Sequence, residues 1–323
     1  MLFYYNMKGD KISKKILVIG GPTGIGKSRI SFEVALRVNG EIISADSMQF
    51  YREIDIGTDK VSAEMREKVP HYLIDCLSLR DSFDVHTFLR KTIHIVNKIL
   101  LSGRVPIIVG GSGLYLRSLM NGIFPIPKEK MEKQNEIRKL LSKKNLSVLY
   151  SELKSVDIEA ASRIHKNDRK RITRALEVYL LTGKTISYWH RQNPKKTLAD
   201  VGNPLYFILT RNREVMYNRI DERVDAMFES GWIQEVKNLE EKGFRDILLY
   251  KSPIGYVEIL DFLDGKYTMD ELKSIIKKRT RTLARKQLTW FKKEKGIWLD
   301  IEEDENKAVE IIIEKFTGFE GGK

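Results

Sequence analysis

The alternation of apolar and polar residues predicts strands and helices in turn over residues 16–122. Three short aliphatic runs have the length and composition of buried strands, at residues 16–19, 42–43 and 105–109. A glycine-rich turn and a helical pattern over 28–38 follow the first run, and apolar residues recur at helical spacing between Phe88 and Ile99. Strands separated by helices are typical of βαβ units in a parallel sheet.

The pattern changes after residue 124, because residues 128–190 contain only charged, helix-like segments. Strand character returns at 205–209, and residues 213–242 have the spacing of one long amphipathic helix. We therefore predict an α/β core formed by residues 1–124 and 201–323, interrupted by an all-helical insertion domain at 125–200.

The turn after the first predicted strand matches the pattern G-x-x-x-x-G-K-[ST]. It consists of Gly21, Pro22, Thr23, Gly24, Ile25, Gly26, Lys27 and Ser28. Glycines allow successive backbone N–H groups to face an anion, and the next helix presents its positive N-terminus to the same anion. Lys27 adds a cation, and the Ser28 hydroxyl can ligate a phosphate-bound Mg²⁺. The sequence thus predicts a core like that of P-loop NTPases, with a phosphate site whose ligand it does not identify.

A second polar cluster, Asp46, Ser47, Met48 and Gln49, follows the second predicted strand. Ligands of open parallel sheets bind outside the carboxyl ends of the strands, so we expect this cluster beside the phosphate site. Ser and Asp also favour ordinary turns, which is the simpler interpretation. Gln49 adds an amide that can pair with an adenine edge.

Charge favours a polyanionic partner, because 57 Lys and Arg residues face 44 Asp and Glu residues among 323. The spacing of Arg163, Lys166, Lys170 and Arg174 predicts one basic helix face. Lys277, Arg281 and Arg285 predict a second such face. Cations confined to one face of a helix are suited to binding a nucleic-acid backbone, although most charged helix faces are merely exposed to solvent.

Composition also excludes some classes of protein. No apolar stretch reaches the ~20 residues of a membrane-spanning helix. The N-terminal residues have no apolar run followed by a small-residue cleavage site. The single cysteine, Cys76, excludes an internal disulfide and a zinc site built on several thiolates. We expect a cytoplasmic protein without a membrane partner.

Six motifs in one order resemble those of the tRNA dimethylallyltransferases, also called tRNA isopentenyltransferases. They are the P-loop, ISADSMQFYREIDIGTDK, VGGSGLY, RIHKND, RITRALE and the C-terminal RTLARKQLTW. The resemblance extends over residues 16–300. It departs from the family pattern at Asp59, Val61, Ser112 and Lys166, and the segment between Pro127 and Arg138 looks longer than usual. No C-terminal cysteine pair is available for the zinc finger of eukaryotic relatives, so the bacterial form is the better match.

The resemblance implies transfer of a dimethylallyl group from dimethylallyl diphosphate to the exocyclic amine of an adenosine. That adenosine lies on the 3′ side of the anticodon in tRNA. Residues 21–28 would hold the diphosphate, with Mg²⁺ at Ser28, and Arg223 would join them on this leaving group. Asp46 corresponds to the general base, and Thr23 would lie near the reacting carbon or the diphosphate.

The resemblance also implies contacts to the tRNA anticodon stem-loop. They would come from Asp46, Ser47, Met48, Gln49, Ser112, Arg138, Lys170, Arg171, Ile172, Thr173 and Arg174. We expect a monomer.

Four alternatives remain at the level of sequence. A P-loop kinase for a small alcohol or nucleoside explains the phosphate loop and Asp46 but gives the helical insertion no task. An adenylate isopentenyltransferase, acting on free AMP, ADP or ATP, does not need the basic insertion. A nucleic-acid-dependent ATPase lacks a convincing acidic strand end for hydrolysis. An RNA-binding module without catalysis leaves the P-loop unused.

Overall fold

The computed structural model describes residues 14–123, 133–192, 196–301 and 304–319. These residues form two compact units. One contains the described residues up to Met120 and from Thr197 onward, and the other those from Asn121 to Lys196. Residues 124–127, where the sequence places the start of the insertion, lie outside the described residues.

The first unit is built on a parallel sheet with the strand order β3-β2-β4-β1-β5-β6. Its strands are β1 (Lys15–Gly20), β2 (Gly40–Ser44), β3 (His71–Tyr72), β4 (Val105–Gly110), β5 (Asn203–Thr210) and β6 (Ile297–Asp300). Leu17 of β1 pairs with Ile107 on one side and Leu205 on the other. β1 is thus an interior strand, and the loop that follows it opens between its two neighbours.

Helices account for most of the remaining described residues. They are α1 (Lys27–Val38), α2 (Ala63–Lys68), α3 (Val85–Leu101), α4 (Gly113–Asn121), α5 (Gln134–Ser142), α6 (Leu146–Val156), α7 (Ile158–Arg163), α8 (Arg169–Thr182), α9 (Ile186–Arg191), α10 (Arg213–Glu229), α11 (Trp232–Glu241), α12 (Arg245–Lys251), α13 (Tyr256–Leu263), α14 (Met269–Phe291) and α15 (Glu305–Thr317). Single 3₁₀ turns occur at Ile56–Thr58 and Leu198–Asp200.

The four strands predicted from apolar runs are present, and the α/β fold class is confirmed. Their side chains are buried because helices cover both faces of a parallel sheet. Leu17, Ile107 and Phe207 have no exposed surface. The pattern did not predict β3, which has only two residues, or β6, an edge strand whose residues alternate between half-buried and exposed.

The long helix predicted over 213–242 is wrong, because it is two helices. α10 ends at Glu229, and Gly231 has a φ of 91°, in the left-handed region, before α11 begins. The apolar spacing continues through the break, since Val224 and Trp232 both pack into one cluster of buried side chains. Periodicity alone therefore could not find the turn.

The second unit is helical throughout its described residues and has its own core. Its buried residues are Leu141, Leu149, Leu153, Ala160, Ala161, Ile172, Ala175 and Leu176. The single basic helix face predicted from Arg163 to Arg174 is wrong. α7 ends at Arg163, and Asp168 caps α8 by accepting a hydrogen bond from the N–H of Arg171 at 3.0 Å. Only Lys170 and Arg174 of the four cations lie on α8.

Replacing Gly231 tests the helix break. Its Cβ would meet no atom within 4 Å, so Gly231→Ala adds only left-handed backbone strain. We expect the free energy of unfolding to fall by about 1 kcal/mol in urea titrations. Gly318→Ala is the control, because Gly318 has a right-handed helical conformation and should tolerate alanine. Equal stability of the two variants would contradict this account.

Candidate active site

The loop between β1 and α1 has the backbone that its sequence predicts. Gly24 and Gly26 have φ values of 79° and 97°, a region that favours glycine. α1 begins at Lys27 with no acidic residue in its first turn, so its N-terminus keeps its positive potential. The Lys27 ammonium donates a hydrogen bond to the Pro22 carbonyl at 2.7 Å, which folds this side chain back over the loop.

The charge of Lys27 is sensitive to its surroundings. Burial lowers the pKa of Lys27 to about 8, and the nearby Arg223 guanidinium contributes to the lowering. Asp46 and Asp59 act in the opposite direction, by stabilising the ammonium. A bound anion would also favour the charged form. The site therefore holds a cation that an anionic ligand would stabilise.

Asp46 lies in the turn after β2. This turn is anchored to the neighbouring strand, because the Ala45 N–H donates to the Val109 carbonyl at 2.7 Å. Asp46 Oδ1 accepts a hydrogen bond from the Met48 N–H at 2.9 Å, which restricts the rotation of the carboxylate. Its charge acts on Lys27, so the acid and the cation share one site.

The other predicted residues of this turn hold it in place. Gln49 Oε1 accepts from the Ser44 hydroxyl at 2.9 Å. Gln49 Nε2 donates to the carbonyls of Thr58 and Asp59, each at 3.2 Å. The Ser47 N–H donates to the Ser112 hydroxyl at 3.4 Å. Gln49 thus links β2 to the 3₁₀ turn, and its predicted contact with a base stays a prediction.

Residues far along the chain complete the phosphate loop. Arg223 donates to the Thr23 hydroxyl at 2.7 Å and to Asp59 Oδ2 at 2.9 Å. Gln287 of α14 accepts from the Thr23 N–H at 2.9 Å and donates to the Gly111 carbonyl at 3.0 Å. Sequence reasoning assigned no role to Gln287 or Asp59. The order of motifs was the only available signal, because Asp59 and Gln287 both lie in motifs that resemble the family.

These groups surround a cavity of about 910 Å³. The predicted site residues in its wall are Thr23, Gly24, Gly26, Lys27, Ser28, Asp46, Ser47, Met48, Gln49 and Arg223. Gly21, Pro22 and Ile25 shape the loop but do not line the cavity, and neither does Ser112. The cavity thus contains a cationic end beside the carboxylate of Asp46.

Much of the remaining wall is apolar, and sequence reasoning did not predict it. It is formed by Val61, Ile74, Val109, Val224, Met227, Trp232, Pro253, Ile254 and Leu283. These residues come from separate elements and carry no common motif. Apolar pockets with a few polar groups are typical of small-molecule sites. The cavity can accommodate a ligand with one anionic and one hydrocarbon end.

The donor atoms fit a magnesium ion that also binds phosphate. Ser28 lines the cavity and offers a hydroxyl oxygen, the hard kind of ligand that Mg²⁺ prefers. Among the described residues, no three His, Cys, Asp or Glu side chains cluster as a metal site. Mg²⁺ usually keeps several waters and binds through one or two protein groups plus phosphates. Any such ion would therefore depend on its phosphate ligand.

The predicted tRNA-binding residues of the helical unit differ in exposure. Arg138 and Arg174 both pair with Glu177, a carboxylate that is only 3% exposed. Burial alone would raise the pKa of Glu177, but hydrogen bonds from Arg138 and Gln134 and the charge of Arg174 hold it below its ordinary value. Ile172 is fully buried in the helical core, and Thr173 is half-buried. Lys170 and Arg171 are exposed.

The second basic stripe lies on one helix, as predicted, but two of its three cations bind carboxylates of α10. Lys277 contacts Asp225 at 2.6 Å, and Arg281 contacts Asp221 at 3.0 Å. Arg285 is exposed. These ion pairs join α14 to α10, so packing accounts for much of this stripe.

Within the described part of the chain, no helix combines the length and apolarity needed to cross a membrane. The parallel sheet, the phosphate loop and the adjoining cavity define an α/β protein of the P-loop class, with a helical insertion. The family model described as IPP transferase matches residues 49–294. The chain belongs to this family.

Relatives are similar over nearly the whole chain. The tRNA dimethylallyltransferase of Carboxydothermus hydrogenoformans is 43% identical, over 94% of this chain and 96% of its own. That of Thermotoga petrophila is 39% identical, over 94% and 99%. The tRNA isopentenylpyrophosphate transferase of Bacillus halodurans has a TM-score of 0.68 at 35% identity, covering 95% and 96%. A eukaryotic dimethylallyltransferase acting on tRNA has a TM-score of 0.80 at 29% identity, covering 96% and 81%.

The lowered pKa of Lys27 predicts how anion binding depends on pH. Lys27 is charged below pH 8 and neutral above it, so the affinity for inorganic diphosphate should fall as the pH rises through 8. If only the charged form binds, the Kd rises about tenfold between pH 7 and 9. Calorimetric titration of the protein with inorganic diphosphate measures this change.

The control for this pH dependence is Lys27→Arg, which stays charged over the whole range. Any decline that remains in this variant comes from other groups or from the ionisation of diphosphate itself. Parallel pH curves for the two proteins would contradict the assignment to Lys27.

Proposed function

We propose that this protein transfers the dimethylallyl group of dimethylallyl diphosphate to the exocyclic amine of an adenosine in tRNA, on the 3′ side of the anticodon. One observation carries the proposal: the carboxylate of Asp46 and the cation of the phosphate loop, Lys27, line one cavity that also has an apolar wall. Relatives named tRNA dimethylallyltransferase, at 39–43% identity, support it.

The phosphate loop would hold the diphosphate of the donor. Its backbone N–H groups and the N-terminus of α1 favour an anion, and Lys27 adds a cation beside them. Arg223, held against Thr23 and Asp59, offers a planar donor suited to paired contact with phosphate oxygens. Charge that develops on the leaving oxygen is stabilised by groups that are already oriented.

The apolar wall would bind the five-carbon chain. Burying hydrocarbon beside the reacting carbon releases water, which would otherwise compete with the amine as a nucleophile. Trp232 and Met227 are suited to this role because they are held in a buried cluster behind the cavity. The hydrocarbon chain of a prenyl donor can pack against this wall, whereas a nucleoside triphosphate has no such chain.

Asp46 would act as the general base. The amine nitrogen forms a bond to C1 of the dimethylallyl group while the bond from C1 to oxygen breaks, and the electron pair leaves with diphosphate. The amine proton passes to the carboxylate, which lies on the cavity wall. Proton acceptance matters because the lone pair of an adenine amine is delocalised into the ring. Mg²⁺ bound at Ser28 would neutralise charge on the diphosphate.

The adenosine must leave its stack to enter the cavity. Extrusion costs a few kcal/mol and is cheapest in a single-stranded loop, such as an anticodon loop.

Lys170 and Arg171 are exposed cations of the predicted tRNA-binding segment 170–174, so we propose that they contact the RNA backbone. We propose that Arg138, Thr173 and Arg174 also contact the tRNA. Ile172 is left out of this proposal because it is buried. We also expect the protein to be monomeric and to act in the cytoplasm.

One assay separates this function from its alternatives. The protein is incubated with Mg²⁺ and radiolabelled dimethylallyl diphosphate, and with unmodified tRNA or free AMP as acceptor. We expect label in tRNA alone. Label in AMP would indicate an adenylate isopentenyltransferase. No transfer to either, together with phosphorylation of a nucleoside from ATP, would indicate a kinase.

Replacing Asp46 tests the base. Asp46→Asn keeps the shape of the side chain but cannot accept the proton, so the single-turnover rate should fall about 10²–10⁴-fold. The affinity for tRNA should change little. Asp246→Asn, at an exposed acid of α12, is the matched control. A near-normal rate in Asp46→Asn would refute this role.

Replacing Lys170 and Arg171 together by Gln tests their role in RNA binding. The affinity for tRNA should fall. The plot of log association constant against log salt concentration should become less steep, by about 1 for each phosphate that the variant no longer neutralises. Filter binding at several salt concentrations measures both quantities. Lys237 and Lys242, two exposed cations of the other unit, give the control double variant. An unchanged slope would remove these residues from the interface.

A further inference from the structure

A buried carboxylate lies directly behind the phosphate loop. Glu305, the first residue of α15, is 7% exposed, and a Cβ added to Gly26 would lie 2.6 Å from Glu305 Oε1. The same oxygen lies 2.9 Å from Nη2 of Arg211 and 2.9 Å from Nη2 of Arg219. Arg29 Nε lies 3.7 Å from the other carboxylate oxygen. Glu305 lies outside the residues that the family model matches.

These charges do not balance. Three guanidinium groups, of Arg29, Arg211 and Arg219, converge on one carboxylate, and Asp300 adds a second negative charge that acts on Arg211. Arg211 is 4% exposed at its side chain, so it is held by Glu305 in the interior. Arg29 and Arg219 instead line the cavity. The excess of positive charge therefore faces the ligand site.

Of these two arginines, Arg219 is better placed than Arg29 to bind a ligand in the cavity. It precedes Arg223 by four residues on α10, so both side chains lie on one face of that helix. Arg223 contacts the first half of the phosphate loop at Thr23, and Arg219 reaches the second half through the carboxylate behind Gly26. Arg219 is 40% exposed, which leaves donors available to a ligand, whereas Arg29 is 65% exposed and more loosely held.

We propose that Arg219 is a second guanidinium ligand of the donor's diphosphate, and that Glu305 is the positioning residue that aims it. This inference rests on the proposed function, because it takes the diphosphate to be the anion of the cavity. Arg223 and Arg219 then approach the diphosphate from one helix, α10. Glu305 orients Arg219 without contacting the ligand, because Arg219 lines the cavity and Glu305 does not.

The test measures the affinity for inorganic diphosphate by calorimetry, with Mg²⁺ present. Arg219→Gln should weaken binding about 10- to 100-fold, the usual effect of removing a hydrogen bond to a charged group. Glu305→Gln should weaken it in the same direction. The double variant should bind no more weakly than Arg219→Gln alone, because Glu305 acts through that arginine. Arg219→Lys should restore part of the affinity.

A matched control is present on the same helix. Glu310 of α15 pairs with Arg37 of α1 at the surface, and both side chains are exposed. Glu310→Gln removes a carboxylate–arginine pair between α15 and α1 and should leave diphosphate affinity unchanged. With dimethylallyl diphosphate as substrate, Glu305→Gln should raise the KM for the donor and leave the KM for tRNA near that of the unmodified protein. A general loss of folding would not produce this selectivity, and the double variant separates a role through Arg219 from a local distortion of the loop.

The outcomes are distinct. Wild-type affinity in Arg219→Gln would overturn the inference, and this exposed position decides the matter even if Glu305→Gln fails to fold. Additive effects in the double variant would overturn the positioning role of Glu305. Failure of the unmodified protein to bind diphosphate would overturn the proposed function as well, which separates the two failures.

Discussion

The site depends on one electrostatic constraint: a half-buried ammonium group at the N-terminus of a helix shares a cavity wall with a carboxylate. Lys27 belongs to the phosphate loop predicted from the sequence, and burial lowers its pKa to about 8. Asp46 and Asp59 offset part of that cost, and a bound anion would offset more. Electrostatics thus favour an anion in this site, and in the proposed function the carboxylate of Asp46, on the same cavity wall, accepts the amine proton.

The rest of the first unit serves to hold this arrangement in place. Three groups from the C-terminal half reach the phosphate loop: Arg223 at the Thr23 hydroxyl, Gln287 at the Thr23 N–H, and Glu305 at Gly26. Each comes from a different helix, so a disturbance of any one would be felt at the loop. Binding and catalysis need such fixed geometry, because small displacements of reacting groups cost much of the rate.

The helical unit illustrates how the same residue type can serve two purposes. Arg138 and Arg174 form ion pairs with the buried Glu177, so part of their charge stabilises the fold of the unit. Lys170 and Arg171 lie on the exposed surface of α8, and Arg171 pairs with Asp168, a carboxylate that is not buried. A count of cations along the sequence treats these residues alike. Only the position of the buried carboxylate separates them.

The parallel core, the phosphate loop and the turn that carries Asp46 could be predicted from the amino-acid sequence, because they depend on local chemistry. Aliphatic runs form buried strands, glycines permit the backbone of the loop, and Lys27 and Ser28 follow at fixed spacing. The three-dimensional structure was needed to find the helix break at Gly231, the cap at Asp168, the apolar wall, and the partners Gln287, Asp59 and Glu305. These features join residues from distant parts of the chain or divide a continuous apolar pattern, and no local periodicity records such contacts.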